Sequence, residues 1–486
     1  MNKVMLLYPP GKLLQRSEDR AQCNLDDAAT GAVHACNDLG YCAAVLLQKG
    51  YEVFLRDYQT EKASFEEVEH DVRAFRPDMI ALSTTNTSVI DDLAFLDRIS
   101  GFHKCVNVVK GAVFYDLEPE LLDQLHLENA DCLIGCEMEF VIGVLADFYL
   151  RSEGSLSGVN GIFYRDGESF IKNQFVCGLN DLDDLPFPAR GLMKNELYVR
   201  PDTGEPMATI QTGLGCPSSC IYCLTPIISG KNVRKRDVES IYKELEECYY
   251  TFGIRNFFFK ADTFTIDAFY AGAVCDRIIN SPLHGKIEFT VNSRAKPLEP
   301  WLLKKLREAG CFTIAVGFES GSDETLRRIK KGTTVEDNLR AAKMIHDAGI
   351  PLFGFFMIGF PWETEEMIAD TERLIRRTAP DFIELHVAMP YYGTGLYEEC
   401  RSLGVLSGGG FGHDYYSPNT TGTVELSNAG ILRLKKKILL RFYLRPSYIA
   451  KKMLGAAKSS VVRKNYVKYG FRLLAKNLPG GRRRNG

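Results

Sequence analysis

The chain has 486 residues, room for two or three domains, and its 45% hydrophobic and 25% charged content is that of a soluble globular protein. No secretory leader is expected, because the apolar run behind Met1 is short and meets Pro9-Pro10 at once, and no run approaches the roughly 18 apolar residues of a membrane span. The expectation is therefore a cytoplasmic protein, and 14 scattered cysteines, with Cys42, Cys132, Cys275 and Cys311 reading as small core residues, exclude a dense disulfide scaffold.

From residue 3 to about 150, short apolar runs alternate with amphipathic runs of helical length. Strands are expected over 4–8, 51–58, 78–84, 106–113 and 131–135, and helices over 38–49, 64–75, 88–99, 119–126 and 139–150. Ser64 followed by Glu67 predicts a capped helix start. This alternation predicts an α/β unit, residues 1–150, with a parallel, doubly wound, Rossmann-like sheet. Ligands of such sheets sit beyond the carboxyl ends of the strands. The candidate loops carry Pro9-Pro10, Ser83-Thr84-Thr85, Gly111 and Gly135-Cys136-Glu137-Met138-Glu139. Residues 151–200 read as a connector, with a hairpin strand and turn over 161–167 and a proline-punctuated extended stretch over 182–190.

The α/β rhythm resumes at residue 207 with a longer repeat. Strands are expected over 208–213, 255–262, 287–293, 312–318, 352–358 and 381–389, and helices over 237–250, 266–280, 299–309, 335–347 and 364–377. Six such units predict a partial (β/α)6 barrel over 201–405, with its chemistry at the carboxyl ends of the strands. The first strand opens into Cys216-Pro-Ser-Ser-Cys220-Ile-Tyr222-Cys223, three thiols at C-x3-C-x2-C spacing. Structural zinc takes four ligands, and no nearby Cys or His completes the set. Thiolates also hold iron–sulfur clusters, usually four to a cluster, so three would leave one iron open. A distorted zinc knuckle and three inert buried thiols are the rival readings. Later strand ends carry Asp262, Asn292-Ser-Arg294, Gly317-Phe-Glu319-Ser320-Gly321, Gly359-Phe-Pro361-Trp-Glu363 and Pro390-Tyr-Tyr-Gly393-Thr394. Glu363 reads as a helix N-terminal charge rather than a catalytic acid.

These motifs together resemble the radical S-adenosylmethionine (SAM) family over most of residues 207–400. The N-terminal loops resemble the cobalamin-binding domain that precedes many of its barrels. The resemblance implies a [4Fe-4S] cluster on Cys216, Cys220 and Cys223 with SAM chelating the open iron. SAM presents a carboxylate, an ammonium, a ribose and an adenine, needs that Arg294, Asp262, Glu319 and Tyr222 can meet. It further implies cobalamin near Pro9, Ser83, Thr84, Gly111, Gly135 and Glu137. Two departures stand out: there is no D-x-H-x-x-G, and Lys110-Gly111-Ala112-Val113-Phe114 occupies the place where relatives usually show Gly-Gly and a histidine. A vestigial or partner-docking domain is the alternative. The implied activity is a cobalamin-dependent C-methyltransferase working through reductive SAM cleavage, a 5′-deoxyadenosyl radical and methylcobalamin. Cyclisation, rearrangement or oxygen insertion is the alternative outcome, and a corrinoid- or metal-responsive binding protein the alternative class. An electron donor such as flavodoxin or ferredoxin and a small-molecule, lipid or peptide substrate are the expected partners, with no nucleic acid.

Residues 406–486 form a loop and a basic tail. The net charge of −3 hides 17 Lys and Arg after Glu425 with no acidic residue among them, which leaves −20 for the rest. Residues 407–418, with His413 and Tyr416, read as a loop over the barrel mouth or a plain linker. Residues 431–444 read as a basic helix interrupted by Pro446. Docking on the acidic part of the chain, peripheral contact with an anionic membrane surface and binding of a separate acidic partner such as a peptide are the readings of the tail.

Overall fold

The computed structural model describes residues 1–17, 25, 33–406, 422–456 and 459–477. The loop expected over 407–418, with His413 and Tyr416, lies outside the described residues.

The N-terminal sheet contains β1 (Lys3–Tyr8), β2 (Glu52–Asp57), β3 (Met79–Ser83), β4 (Val106–Lys110), β5 (Cys132–Ile134), β6 (Ile162–Asp166) and β7 (Ser169–Lys172), in the spatial order β2-β1-β3-β4-β5-β6-β7. The first five are parallel, with helices between them. Alternation along β1 explains the two covered faces. Val4, Leu6 and Tyr8 pack with the helices Asn37–Gln48 and Met138–Arg151, while Met5 and Leu7 pack with Phe65–Phe75 and Val89–Ser100. The capping box at Ser64 and Glu67 is present.

The expected connector hairpin instead extends this sheet. β6 pairs antiparallel with β5, Leu133 opposite Phe163, and β7 pairs with β6. β5 would otherwise be an edge of three residues with unpaired backbone groups, so the hairpin makes the sheet mixed and covers that edge. The strand expected over 106–113 stops at Lys110, and Ala112–Phe114 forms a single 3-10 turn.

The second sheet runs β8 (Met207–Gln211), β9 (Asn256–Lys260), β10 (Glu288–Arg294), β11 (Cys311–Glu319), β12 (Leu352–Ile358) and β13 (Phe382–Val387), all parallel and each beside its sequence neighbour. Alternate residues, such as Ile210, Phe259, Val291, Val316, Ile358 and Leu385, join one core with the outer helices. The others face inward, which makes the sheet a partial barrel. Three helices of the barrel region fall outside the expected set, Thr225–Ile228, Asp323–Arg328 and Gly395–Ser402.

The tail docks on the barrel. The helix Asn428–Tyr443 buries Ile431, Ile438 and Phe442 in the barrel core, and the Tyr443 hydroxyl donates to the Ile383 carbonyl at 2.7 Å. Pro446 opens the helix Pro446–Gly455, and Ser460–Asn477 follows. Among the described residues no helix is long and apolar enough to cross a membrane.

Candidate cofactor site at the barrel mouth

β8 leads through Thr212-Gly213-Leu214-Gly215 into the cysteine loop. Gln211 ties the turn, its amide donating to the Gly213 carbonyl at 2.6 Å. Gly213–Leu214 pairs antiparallel with Arg234–Lys235, so the loop closes on itself. Gly215 has φ +95, and a Cβ there would collide with the Asn232 carbonyl, so only glycine fits the entry. The Cys216 amide then donates to the Gly230 carbonyl at 3.0 Å, and Ile221 is held by backbone bonds to Ile329 and Leu396.

Asp262, at the end of β9, fixes both sides of this loop. One oxygen accepts from the Gly215 amide at 2.7 Å, the other from the Thr225 hydroxyl at 3.0 Å. In this structure the Asp262 carboxylate, expected to face SAM, ties the two sides of the cysteine loop together.

Arg294, at the end of β10, places one guanidinium nitrogen 3.6 Å from the Cys220 sulfur, while another donates to the Lys331 carbonyl. Burial disfavours its charge, but Cys220, Tyr222 and Cys216 outweigh burial and its pKa is raised. Lys331 is buried, donates to Glu319 at 2.6 Å and lies 3.3 Å from the Tyr222 hydroxyl. Glu319 has φ +63 at a register shift in β11, a strained backbone for a non-glycine residue, on the order of 1 kcal/mol or more. That turn swings its carboxylate onto Lys331, and Gly317 leaves the room, since a Cβ there would sit 2.5 Å from the Glu319 oxygen. Burial, then Glu319 and the cysteines, push Tyr222 well above the ordinary phenol range, so it stays a neutral ring and hydroxyl.

Three of the four expected SAM residues, Tyr222, Arg294 and Glu319, thus converge, and Lys331 joins them. Sequence reasoning missed Lys331 because the run Arg327-Arg328-Ile-Lys330-Lys331 reads as solvated charge. Its signal is the following Gly332, whose φ of +75 turns the chain back toward Arg294. Glu363 is corrected too: it is fully buried, accepts from the Gly359 and Phe360 amides at 2.7 and 3.2 Å, and burial pushes its pKa up to about 7. The helix begins after it, capped by Thr364.

The loops of the N-terminal sheet abut this region. Ala112 clusters with Leu224 and Ile228, just past Cys223, with Tyr115, Ile227 and Tyr391 around them. Glu137 grips Arg234 through two hydrogen bonds, one of 2.9 Å. The Asn37 amide donates to the Thr209 carbonyl at 2.9 Å, and Lys260 to the Ser17 carbonyl at 2.6 Å.

At the expected cobalamin loops, several side chains are engaged within the protein. Ser83 donates to Asp38 at 3.0 Å, and Thr84 to Asp92 at 2.6 Å, in a buried network shared with Ser88 and Arg16. Gly111 and Gly135 serve close packing, since a Cβ would stand 2.6 Å from the Thr84 methyl and 2.7 Å from the Phe114 backbone. Glu137 is occupied by Arg234. Pro9 is buried at the end of β1, while Gly11, φ +133, has open space beside it. Burial and Glu137 push the neighbouring Glu139 up to about 7, against Lys110.

Residues 210–375 match the family model of the radical SAM superfamily. That segment carries the radical SAM domain. Among its relatives, the uncharacterized methyltransferase PH0819 of Pyrococcus horikoshii is 27% identical over 85% of this chain and 88% of its own length. The anaerobic magnesium-protoporphyrin IX monomethyl ester cyclase of Cereibacter sphaeroides is 23% identical over 75% of this chain, which spans 60% of that enzyme. The radical SAM methyltransferase TsrM of Kitasatospora setae, solved with cobalamin and a [4Fe-4S] cluster bound, has a TM-score of 0.65 at 17% identity, over 84% of this chain and 76% of its own. This last likeness is one of fold.

Radical SAM membership implies a [4Fe-4S] cluster and SAM. The donor set fits: three thiols stand in one loop with a guanidinium beside one of them, and a cluster takes its thiolates at separate irons. Thr333, two residues beyond Lys331, buries a hydroxyl that has no protein partner among the described residues.

Proposed function

We propose that the chain is a cobalamin-dependent radical SAM enzyme that methylates an unactivated carbon. The observation that carries this reading is the abutment of two loop sets. The ligand edge of the N-terminal sheet, through Ala112–Phe114 and Glu137, meets the segment just past Cys223, through Leu224, Ile228 and Arg234.

In this reading Cys216, Cys220 and Cys223 hold the cluster, while Arg294, Lys331, Glu319 and Tyr222 form the SAM wall. The backbone of residues 9–11, 111–115 and 135–137 is the cobalamin edge. When bound, these groups supply reductive SAM cleavage, hydrogen abstraction and a transferable methyl group. The chain's own residues do the rest. Arg294 offsets negative charge at Cys220, Asp262 holds the cysteine loop in one geometry, and the apolar seam of Ala112, Leu224 and Ile228 excludes water between the two centres. The balanced Glu319–Lys331 pair leaves Arg294 as the net charge of the wall, suited to the SAM carboxylate.

Methylation is favoured over another outcome because the relative aligned over 88% of its own length is named a methyltransferase, whereas the cyclase aligns over 60% of its own. An electron donor of the flavodoxin or ferredoxin type completes the scheme, with a small molecule, lipid or peptide as substrate. The test is anaerobic reconstitution with iron, sulfide and cobalamin quantified, then incubation with methyl-labelled SAM and a strong reductant. Cys220→Ala is expected to abolish SAM cleavage while corrinoid stays bound; normal cleavage by that variant refutes the cluster assignment. Formation of 5′-deoxyadenosine without label transfer to substrate would point to cyclisation or rearrangement. No 5′-deoxyadenosine at all would point to a binding protein.

A further inference from the structure

The tail does more than dock. Tyr448 donates to the Asp381 carbonyl at 2.9 Å, Lys452 reaches the Asp381 carboxylate at 3.2 Å, and the Tyr466 ring lies 6.2 Å from Phe382. Asn465 and Tyr469 add bonds to the Asp202 and Pro201 carbonyls at 2.9 and 2.7 Å. The helix Pro446–Gly455 is thus pinned by its inner face at the start of β13, and Ser460–Asn477 there and on residues 201–202. Their opposite faces look away from the barrel together.

Those outer faces carry Ile449, Met453, Leu454, Val461, Val467 and Phe471, all exposed, Leu454 by 76% and Phe471 by 70%. Arg463, Lys464 and Lys468 are exposed among them. No acidic residue follows Glu425 in the chain. The carboxylates beside these helices are already paired, Asp381 with Lys451 and Lys452 and Asp202 with Arg200.

We infer that this face docks peripherally on an anionic lipid bilayer. Exposed apolar side chains interleaved with cations suit the boundary between acyl chains and headgroups, where the apolar groups leave water and the cations meet negative charge. A second copy would oppose like charges across the same face, and a water-soluble acidic partner would answer the cations but not the apolar residues. The inference rests on the tail alone and stands whether or not the chain methylates.

The test is flotation of the purified full chain with vesicles of phosphatidylcholine alone and with about a third phosphatidylglycerol. Binding is expected to the anionic vesicles only and to fall as salt is raised. Neutralising three cations, Arg463→Gln, Lys464→Gln and Lys468→Gln, is expected to weaken it on the order of 100-fold, since each contributes roughly five-fold near a surface. Leu454→Ser with Phe471→Ser is expected to weaken it at least about ten-fold with the unfolding midpoint unchanged. Equal binding to neutral vesicles, no binding to either, or a concentration-dependent dimer lost in the Leu454→Ser, Phe471→Ser variant would each overturn the proposal.

Discussion

Replacing Glu137 with Gln, Arg234 with Met, and both together separates two readings of one carboxylate. As a cobalamin contact, Glu137 should matter only when corrinoid is present. As a clamp between the sheet edge and the cysteine loop, it should matter to the apo chain. The side chains are 14% and 11% exposed, and Arg234 has other acceptors in the carbonyls of Asn180 and Ser229 at 3.1 and 3.4 Å. Removing one partner of so enclosed a pair leaves the other charge desolvated and only partly bonded. Each single replacement is expected to cost about 2–3 kcal/mol, and the double little more than either, a coupling of about 2 kcal/mol. Urea unfolding of the four apo proteins measures this, and cobalamin titration of the same set checks binding. Additive single effects would refute the clamp, as would an Arg234→Met variant of full stability beside a Glu137→Gln variant impaired only in corrinoid affinity.

Glu363 carries a pH signature. Its folded pKa of about 7 lies above the ordinary 4.5 because of burial, so the folded state holds the proton more tightly than the unfolded state. Its contribution is present in full below about pH 4.5 and lost as the pH rises through about 7, some 3 kcal/mol in all. Glu363→Gln should flatten the stability profile in that window by up to about 1.4 kcal/mol per pH unit, and parallel profiles would contradict the assignment. Lys331→Met strands the buried Glu319 and should cost about 3 kcal/mol together with SAM affinity, read by calorimetry on the reconstituted protein, while exposed Lys330→Met should change neither. Gly135→Ala drives a Cβ to 2.7 Å from the Phe114 and Tyr115 backbone and should lower stability by about 1–3 kcal/mol, visible as a lower denaturant midpoint.

Local patterns made most of the fold legible. Strand alternation in β1, the Ser64 capping box and the β8-to-cysteine-loop order all rest on contacts within a few residues, so periodicity and turn chemistry suffice to read them. The three cysteines were legible for the same reason, since their spacing is a property of one loop. The hairpin β6–β7 was not, because its place on the β5 edge depends on a short strand far away having unpaired backbone groups.

The sequence by itself determined two α/β units, a three-cysteine loop at the end of the first barrel strand and a basic tail. Tertiary structure alone decided how the charged and polar residues are used. Glu137 went to Arg234, Ser83 and Thr84 to Asp38 and Asp92, Asp262 to both sides of the cysteine loop, and Lys331 came into the SAM wall from a run that reads as surface. The physical reason is that apolar residues report their own burial through period. A buried carboxylate or ammonium instead takes whichever partner the fold brings within about 3 Å, and that partner can lie far away in the chain, as Glu137 lies from Arg234.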